Sequence, residues 1–412
     1  MRAAGQSQST SDDGRERIGV AVVGLGGAVA TTAIAGIEMI KAGRNDRTGL
    51  PLAGLSIPGL ADYRDIVFTG WDVNGDDLGV AAEKHAVLDR DQVDGAGSAL
   101  RGIRPMPAVG SSAYCRNVDG ENKIVVKSHR DAVERIGDDL ARFKRESGVD
   151  RVIMLNLAST ERHPDPDAAA LRDLASFEKA LDSSDADVGP AMLYAYAAIA
   201  NGAAYANFTP SVAADAKPLI EMARERNVAV AGKDGKTGQT FLKTVIAPAL
   251  RQRALHVDGW FSTNILGNRD GLALDDPNSL KSKLGTKKSV LDQMLGYEVE
   301  DHIIDIRYYR PRGDDKEAWD NIDISGFMGQ RMQIKVNFLC KDSILAAPLA
   351  IEIVRCLGLA ARRGEGGVQE QLGSFFKAPM TGNGHLPEHG FHAQQIALME
   401  WLGAEGAEVD AA

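Results

Sequence analysis

Acidic, amide and basic side chains are concentrated between residues 230 and 292, where glycine turns separate short apolar runs. In a dry pocket, fixed ammonium groups favour developing negative charge, and side-chain amides orient hydroxyl groups. The segment therefore suits a site for a phosphorylated polyol and for oxyanions formed from it. A solvated basic helix would carry the same charges, so these residues alone leave both interpretations open. The side chains concerned are Asp234, Asn264, Asn268, Asp270, Lys283 and Lys287.

Composition limits the class of protein. A chain of 412 residues is long enough for two substantial cores. Its 44 glycines suit an α/β protein with many tight turns between strands and helices. The net charge of -10 argues against a general nucleic-acid binder, which usually presents a basic field.

The chain shows no targeting or membrane signal. Residues 1–16 are polar and lack an apolar core, which predicts a disordered lead rather than a signal peptide. No window approaches eighteen uninterrupted apolar residues. Cys115, Cys340 and Cys356 lie far apart and predict free thiols in a reducing compartment. We therefore expect a soluble, cytoplasmic protein with no membrane partner.

The first ordered segment has the pattern of a nucleotide-binding turn. Residues 18–24 predict a buried parallel strand, followed by a glycine turn and a helix that ends near residue 43. A helix N-terminus after such a turn presents unpaired amides to an anion. Gly24 and Gly26 fit the dinucleotide pattern GxGxxG, but Val29 takes the third glycine position and Gly27 adds another glycine. The match is imperfect. By itself it is also a limited signal for a dinucleotide, because many strand–helix turns need glycine only for steric reasons.

A second strand, IVFTGWDV, ends at Asp72, where a dinucleotide fold places an acid for the adenosine ribose. The Gly- and Pro-rich residues 44–64 lie between the two strands. They separate Asp72 from the glycines by more than the usual spacing of about 20 residues. A helix N-cap is therefore an open alternative for Asp72.

The later pattern predicts a second unit. Strand and helix patterns alternate up to Gly238, including a strand at 151–160 that ends in Thr160-Glu161-Arg162. After Gly238, DHIIDIRYYRPRG and RMQIKVNFLCKD alternate like half-buried antiparallel strands. We predict an α/β fold with an α+β domain, residues 246–342, inserted between residues 17–245 and 343–412.

Ten short motifs occur in the order found in one family: GLGG, GWD, STER, NGxxxxNFTP, GKDGKTGQT, NILGNRDG, SKLGTKKS, RPRGDDK, CKDSILAAPL and FFKAP. The chain resembles the inositol-3-phosphate synthases, which are NAD-dependent cyclases, over nearly all its ordered length. The resemblance implies a Rossmann-like NAD-binding domain completed by the C-terminal segment. It also implies that the inserted domain carries catalytic lysines and builds a homotetramer.

The resemblance implies a reaction without net redox change. In the family, glucose 6-phosphate is oxidised at C5 by bound NAD, loses a C6 proton, and closes its ring by attack on the C1 aldehyde. The same NADH then reduces the C5 ketone, which gives inositol 3-phosphate. Enolisation and ring closure put charge on two oxygens, and ammonium groups stabilise such charge.

The resemblance also assigns site residues. Lys283 and Lys377 would lie at the C5 oxygen, and Lys287 and Lys316 would face the C1 oxygen or the phosphate. Asp234 and Asp342 would orient these lysines. The implied cofactor-binding residues are Gly24, Gly26, Gly27, Ala28, Val29, Asp72, Ala158, Ser159, Thr160 and Asp270. The implied substrate-binding residues are Thr237, Gly238, Gln239, Asn264, Leu266 and Asn268.

Several positions carry no assigned role. We expect Lys281 and Lys288 to be ordinary surface lysines. His385, His389 and His392 have a spacing that a metal could use, but Pro387 prevents a continuous helix across them, so no metal is predicted.

The departures from the family pattern concern specificity. Lys233 and Arg269 add cations to the GKD and GNRD motifs, and Leu157 and Ser159 alter the residues before TER. The same cyclase chemistry on fructose 6-phosphate, giving a five-membered cyclitol phosphate, is therefore an alternative. A net NAD-linked dehydrogenase and a catalytically silent NAD-binding regulator are weaker alternatives, because every lysine that cyclisation needs is present.

Overall fold

A seven-stranded parallel sheet forms the larger part of the protein. The computed structural model describes residues 16–115, 120–267 and 290–404. The order of strands in this sheet is β11-β6-β5-β4-β1-β2-β3. The strands are β1 (Ile18–Val23), β2 (Ile66–Asp72), β3 (Met106–Pro107), β4 (Arg151–Asn156), β5 (Ala204–Asn207), β6 (Ala229–Gly232) and β11 (Gly367–Val368). Six of them follow the order 3-2-1-4-5-6 of a doubly wound dinucleotide-binding fold.

Helices cover both faces of this sheet. Along β1, Ile18, Val20 and Val22 enter one apolar cluster, whereas Ala21 and Val23 enter the cluster on the opposite face. Burial on both faces explains why the strand is a continuous apolar run. The helices before strand β6 are α1 (Ala28–Lys41), α2 (Leu78–His85), α3 (Arg90–Gly102), α4 (His129–Ser147), α5 (Leu174–Ser183), α6 (Pro190–Ala200) and α7 (Lys217–Glu225).

The second sheet has four strands in the order β10-β9-β7-β8. They are β7 (His256–Leu266), β8 (Asp301–Tyr308), β9 (Asp315–Ser325) and β10 (Arg331–Lys341), and residues 290–295 form a helical turn beside them. The mixed α/β class with a Rossmann-like sheet and a separate sheet is confirmed. Two details of the sequence interpretation are wrong: β8 pairs parallel to β7, and β9 is an additional strand.

Strand β9 escaped the sequence interpretation because its inward-facing row is not uniformly apolar. Lys316 and Asp320 lie on the buried side together with Ala318, Ile322 and Ile324. A period-two search for hydrophobic residues misses such a strand, since two of its five inward positions are charged.

Two helices connect the sheets. Helix α8 (Gly238–Gln252) leaves the parallel sheet and packs against β7, β9 and β10, and the boundary expected at residues 245/246 falls inside this helix. Helix α9 (Asp342–Arg363) leads from β10 back across the parallel sheet. The last helix, α10 (Phe391–Leu402), packs against α8.

Helix α9 is long and apolar enough to cross a membrane by length and composition, and 72% of its most apolar window is buried. It packs against α1 and against strands β1, β4, β5 and β6. Its apolar surface therefore belongs to the core of the parallel-sheet layer.

A buried ionic network attaches residues 44–64 to α9. Glu352, which is fully buried, accepts hydrogen bonds from the hydroxyl of Tyr63 at 2.6 Å and from the Leu52 amide at 3.2 Å. Arg355 donates to Glu352 at 2.6 Å and to the Ala61 carbonyl at 2.7 Å. The Arg355 guanidinium also lies 3.8 Å from the centre of the Tyr63 ring. The inserted segment is thus an ordered part of the fold.

We expect Glu352→Ala to lower the free energy of unfolding by about 3–5 kcal/mol, because it leaves the Arg355 charge buried without its partner. Urea denaturation of the purified protein measures this. Glu83→Ala is the control, since Glu83 and Arg101 form an ion pair with side chains 54% and 52% exposed. Such an exposed pair contributes about 0–1 kcal/mol. Equal effects of the two substitutions would contradict the structural role of Glu352.

Candidate functional site

One cavity of about 460 Å³ lies at the carboxyl ends of the central parallel strands and extends to the edge of the four-stranded sheet. Strands β2 and β4 both pair with β1 in register, so the sheet order reverses at β1. Ligands of open parallel sheets bind at such a switch point. Gly26, Asp72 and Ala158 line one end of the cavity, and Lys316 and Lys377 line the other.

The glycine turn after β1 is shaped by close backbone contacts. The amides of Gly24 and Leu25 both donate to the Trp71 carbonyl, at 2.8 Å and 3.0 Å. Gly24 has a φ of 86°, and a Cβ there would lie 3.0 Å from the Ala158 backbone. Both facts require glycine at this position.

Gly27 is the N-cap of α1 and supplies no side-chain hydrogen bond to the first helical turn. The amides of that turn are therefore available to an anion. Ala28 and Val29, the first two residues of α1, line the cavity beside Gly27.

Asp72 fixes the glycine turn. One carboxylate oxygen accepts the Gly26 amide at 2.9 Å, and the other accepts the Asn74 amide at 2.9 Å. The alternative role of Asp72 as a helix N-cap is wrong, because Asp77 caps α2 by accepting from the Val80 amide. The long insertion before β2 does not displace Asp72, since β2 pairs directly with β1.

The segment after β4 lines the cavity with Ala158, Ser159 and Thr160. The Asn156 side chain supports this turn: its oxygen accepts from the Ala158 amide at 3.2 Å, and its amide donates to Asn207 at 3.2 Å. The turn is thereby tied to the neighbouring strand β5.

Glu161 also lines the cavity, and the sequence interpretation gave it no role although it belongs to the STER motif. One of its carboxyl oxygens accepts the Ala191 amide at the start of α6, at 3.0 Å. Burial raises the pKa of Glu161 from 4.5 to about 8. This carboxyl is therefore largely protonated at neutral pH.

Two lysine–carboxylate pairs occupy the other end of the cavity. The Lys377 ammonium lies 2.7 Å from an Asp234 oxygen, and their side chains are 10% and 5% exposed. The Lys316 ammonium lies 3.4 Å from an Asp342 oxygen, which also accepts from the Thr237 hydroxyl at 3.0 Å. The structure thus brings together four residues that the sequence separates widely.

The N-terminus of α8 adjoins the second pair. Thr237 is the N-cap and makes no side-chain capping bond, so the first-turn amides are not satisfied by it. The Lys316 ammonium lies 4.0 Å from the position that a Cβ of Gly238 would take. Helix amides and an ammonium group together favour an anion such as a phosphate.

Three other residues predicted to bind substrate lie behind this surface. Gln239, Asn264 and Leu266 are 3%, 2% and 2% exposed. The Asn264 amide donates to the Gln239 carbonyl oxygen, so their side chains form one buried unit. Leu266 is the last residue of β7, next to Gly267, which lines the cavity.

Lys233 does not contribute a charge to the cavity wall. Its ammonium lies 2.6 Å from an Asp215 carboxylate oxygen, with side chains 12% and 20% exposed. The added cation is neutralised by a local acid. The predictions for Asn268, Arg269, Asp270, Lys281, Lys283, Lys287 and Lys288 lie outside the residues that the structure describes.

One of the three histidines near the C-terminus has an acidic partner. His385 lies 3.0 Å from a Glu370 oxygen. Burial lowers the pKa of His389 from 6.5 to about 4. Among residues 16–115, 120–267 and 290–404, no group of three His, Cys, Asp or Glu side chains is arranged to hold a metal ion.

The sheet order, the close-packed glycine turn, the open α1 N-terminus and the acid at the end of β2 fit a dinucleotide. Gly24, Gly26, Gly27 and Asp72 would hold it, with Ala158 to Thr160 on the opposite wall. These features define a dinucleotide-binding enzyme of the α/β class with a second, lysine-bearing sheet.

The comparisons with known proteins identify the family. The NAD-binding family described as myo-inositol-1-phosphate synthase matches residues 55–403. Inositol-3-phosphate synthase 1 of Bacteroides thetaiotaomicron is 42% identical over 94% of this chain and 95% of its own length. The chain belongs to the myo-inositol-1-phosphate synthase family, which makes it an NAD-binding isomerase of the intramolecular lyase type.

Solved structures agree. Inositol-3-phosphate synthase of Caenorhabditis elegans has a TM-score of 0.88 at 25% identity, covering 95% of this chain and 86% of that chain. A myo-inositol-1-phosphate synthase-related protein of Thermotoga maritima has a TM-score of 0.78 at 26% identity, covering 95% and 100%. The family resemblance and the NAD cofactor predicted from the sequence are confirmed.

Replacing Gly26 with valine is expected to weaken NAD binding by about 100-fold or more, because the side chain would enter the pyrophosphate space. A Cβ there would also lie 3.2 Å from Asp72. Isothermal titration calorimetry measures the NAD dissociation constant. The control is Gly36→Ala on α1, where an added Cβ meets nothing within 4 Å. Unchanged affinity in Gly26→Val would mean that NAD binds elsewhere.

The raised pKa of Glu161 should make the free energy of unfolding depend on pH. Between roughly pH 4.5 and pH 8 the folded state holds a proton that the unfolded state releases, so wild-type stability falls as pH rises through this window. Glu161→Gln keeps the hydrogen bond to Ala191 and removes the titration. We expect the variant to gain stability relative to wild type by about 1.4 kcal/mol per pH unit from roughly pH 5 to pH 8. Denaturation at several pH values would show a constant difference if this assignment were wrong.

Proposed function

We propose that this protein cyclises glucose 6-phosphate to inositol 3-phosphate, using NAD catalytically. The observation that carries the proposal is that the glycine turn and two lysine–carboxylate pairs line one cavity. A net dehydrogenase needs no such set of ammonium groups beside its hydride acceptor. Bound NAD supplies reversible hydride transfer at C5.

The substrate phosphate is proposed to bind at the N-terminus of α8. The amides of Gly238 and Gln239 would donate hydrogen bonds to it, and the Lys316 ammonium would balance its charge. Asp342 holds the Lys316 ammonium and the Thr237 hydroxyl at one oxygen, which fixes their relative position. Preorganised donors of this kind cost no reorganisation when the anion binds.

Lys377 is proposed to exchange the proton of the C5 hydroxyl and to stabilise the enolate oxygen. Its ammonium is nearly buried and is held by Asp234, whose backbone carbonyl also accepts the Lys377 amide at 2.6 Å. Backbone and side-chain bonds between the same two residues leave the ammonium little freedom. By family resemblance, Lys283 would supply a second ammonium at this oxygen, and Lys287 one at the C1 oxygen or phosphate.

The choice of glucose 6-phosphate rests partly on Lys233. Its ion pair with Asp215 removes one of the departures that left fructose 6-phosphate open as a substrate. Leu157 still lines the cavity as the residue before Ala158, but an apolar side chain offers no contact that separates the two sugars. Among residues 16–115, 120–267 and 290–404, no observation favours the second substrate.

The homotetramer and the cytoplasmic location are also proposals. The outer face of the four-stranded sheet carries Ile303, Trp319 and Leu339, which are 50%, 38% and 61% exposed, around the partly buried Phe261. A second copy of the chain would cover such a face. This agrees with the expectation that the inserted domain, residues 246–342, builds the oligomer. A sedimentation mass of a single chain would contradict it.

Lys377→Met is expected to lower kcat by about 100-fold or more, the scale of a lost acid–base or oxyanion group. Turnover of glucose 6-phosphate is followed by phosphorus NMR, and wild type should accumulate no NADH in the steady state. Lys233→Met is the matched control: it removes another ion-paired lysine and should change kcat less than about threefold. Stoichiometric NADH would establish a dehydrogenase instead, and wild-type turnover in Lys377→Met would remove Lys377 from the mechanism.

A further inference from the structure

Asp320 is a buried carboxylate that the sequence interpretation did not consider. It lies on the inward face of β9, four residues after Lys316, and is 2% exposed. It accepts three hydrogen bonds: from the Trp260 indole at 2.7 Å, the Ser262 hydroxyl at 2.7 Å and the Gln239 side-chain amide at 3.2 Å. A buried carboxylate is costly unless hydrogen-bond donors satisfy its oxygens, and these three donors do so.

The Asp320 carboxylate determines how the side-chain amides of Gln239 and Asn264, which form a hydrogen-bonded chain, are oriented. An ionised aspartate only accepts hydrogen bonds, so Gln239 must turn its NH₂ group towards Asp320. The Gln239 oxygen then faces Asn264 and accepts from the Asn264 NH₂ group. The Asn264 oxygen is consequently the end of the chain that remains to accept a further hydrogen bond.

Asn264 lies on the buried face of β7, close to two residues that line the cavity. On β7 it precedes Gly267 by three residues, and it pairs with Ala318 on β9, two residues after Lys316. Gly267 and Lys316 both line the cavity. An acceptor at this place complements a hydroxyl donor. It does not complement a phosphate dianion, whose oxygens are acceptors themselves.

Lys243 places a cation in the same buried cluster as Asp320. Its ammonium lies 2.8 Å from the His302 ring nitrogen and 5.4 Å from the centre of the Trp260 ring, in the same buried cluster. Burial lowers the pKa of Lys243 from 10.5 to about 8, and Asp320 opposes this shift. At neutral pH this cation therefore lowers the cost of burying the Asp320 side chain.

We propose that Asp320 is a positioning residue that orients the Gln239–Asn264 amide pair, so that the Asn264 carbonyl oxygen accepts a hydrogen bond from one hydroxyl group of the sugar. The proposal rests on the proposed function, because it assumes a hexose phosphate in this cavity. Different residues then recognise the two ends of the substrate. The α8 N-terminus and Lys316 bind the phosphate, and the Gln239–Asn264 amide pair binds a hydroxyl group.

The test compares glucose 6-phosphate with its monodeoxy analogues. Their dissociation constants are measured calorimetrically in the NADH complex, which cannot accept the hydride and so gives binding without turnover. In wild type, the analogue that lacks the contacted hydroxyl should bind about tenfold or more weakly, the scale of one polar contact. In Asp320→Asn the side-chain amides of Gln239 and Asn264 can both flip, so that Asn264 no longer presents its oxygen. The difference in dissociation constant between glucose 6-phosphate and that analogue should then fall to about twofold or less.

Ser262→Ala is the matched control. It removes one donor to Asp320 but leaves the carboxylate and the amide chain, so the wild-type pattern among the analogues should persist. Affinities for NADH and for inorganic phosphate should change less than about twofold in Asp320→Asn. A purely structural role would instead lower the melting temperature of both variants and leave discrimination among the analogues unchanged.

Gln239→Ala gives a second route if Asp320→Asn does not fold. It keeps Asn264 but breaks its link to Asp320, and it should lose discrimination against the same analogue as Asn264→Ala does. Wild-type discrimination in Asp320→Asn or in Gln239→Ala would overturn the proposal. A wild-type protein that discriminates among the analogues but does not form inositol 3-phosphate would overturn the proposed function alone.

Discussion

The ion pair between Lys377 and Asp234 joins segments 143 residues apart and fixes the geometry of the candidate site. Asp234 follows the last central strand of the parallel sheet, and Lys377 belongs to the segment that returns after α9. A nearly buried ammonium group is strongly stabilised by a compensating charge beside it. The same carboxylate therefore stabilises the fold and holds a lysine at the cavity.

The Lys316–Asp342 pair joins distant segments in the same way, on the four-stranded sheet. Lys316 lies on β9, whereas Asp342 is the first residue of α9, directly after β10. Helices α8 and α9 both begin at the cavity, one leading into the four-stranded sheet and one leading back across the parallel sheet. This end of the cavity is thus built where two helix N-termini and two sheets meet, which concentrates amides and ammonium groups around an anionic ligand.

Charge buried inside the four-stranded sheet extends this arrangement. Lys316, Asp320 and Lys243 are each less than 10% exposed, and each faces an oppositely charged or polar partner. An apolar sheet of the same size would be easier to fold. A charged interior has a functional consequence here, because acceptor-only and donor-only groups set the direction of neighbouring amides. Specificity for hydroxyl groups and for phosphate can then be divided between different parts of the sheet.

The sequence by itself determined the family, the cofactor and the class of fold, because ordered motifs and the strand–glycine–helix pattern are local features of the chain. Asp72 could be placed at a strand end, but its bond to Gly26 depends on the pairing of β1 with β2 across the inserted residues 44–64. Only the tertiary structure decided that Lys233 is neutralised by Asp215 and that Glu161 is buried at the start of α6. It also decided that β9 is a strand with charges on its inner face. Each of these depends on contacts between distant segments, and the burial that shifts a pKa or demands a partner for a charge exists only after the chain has packed.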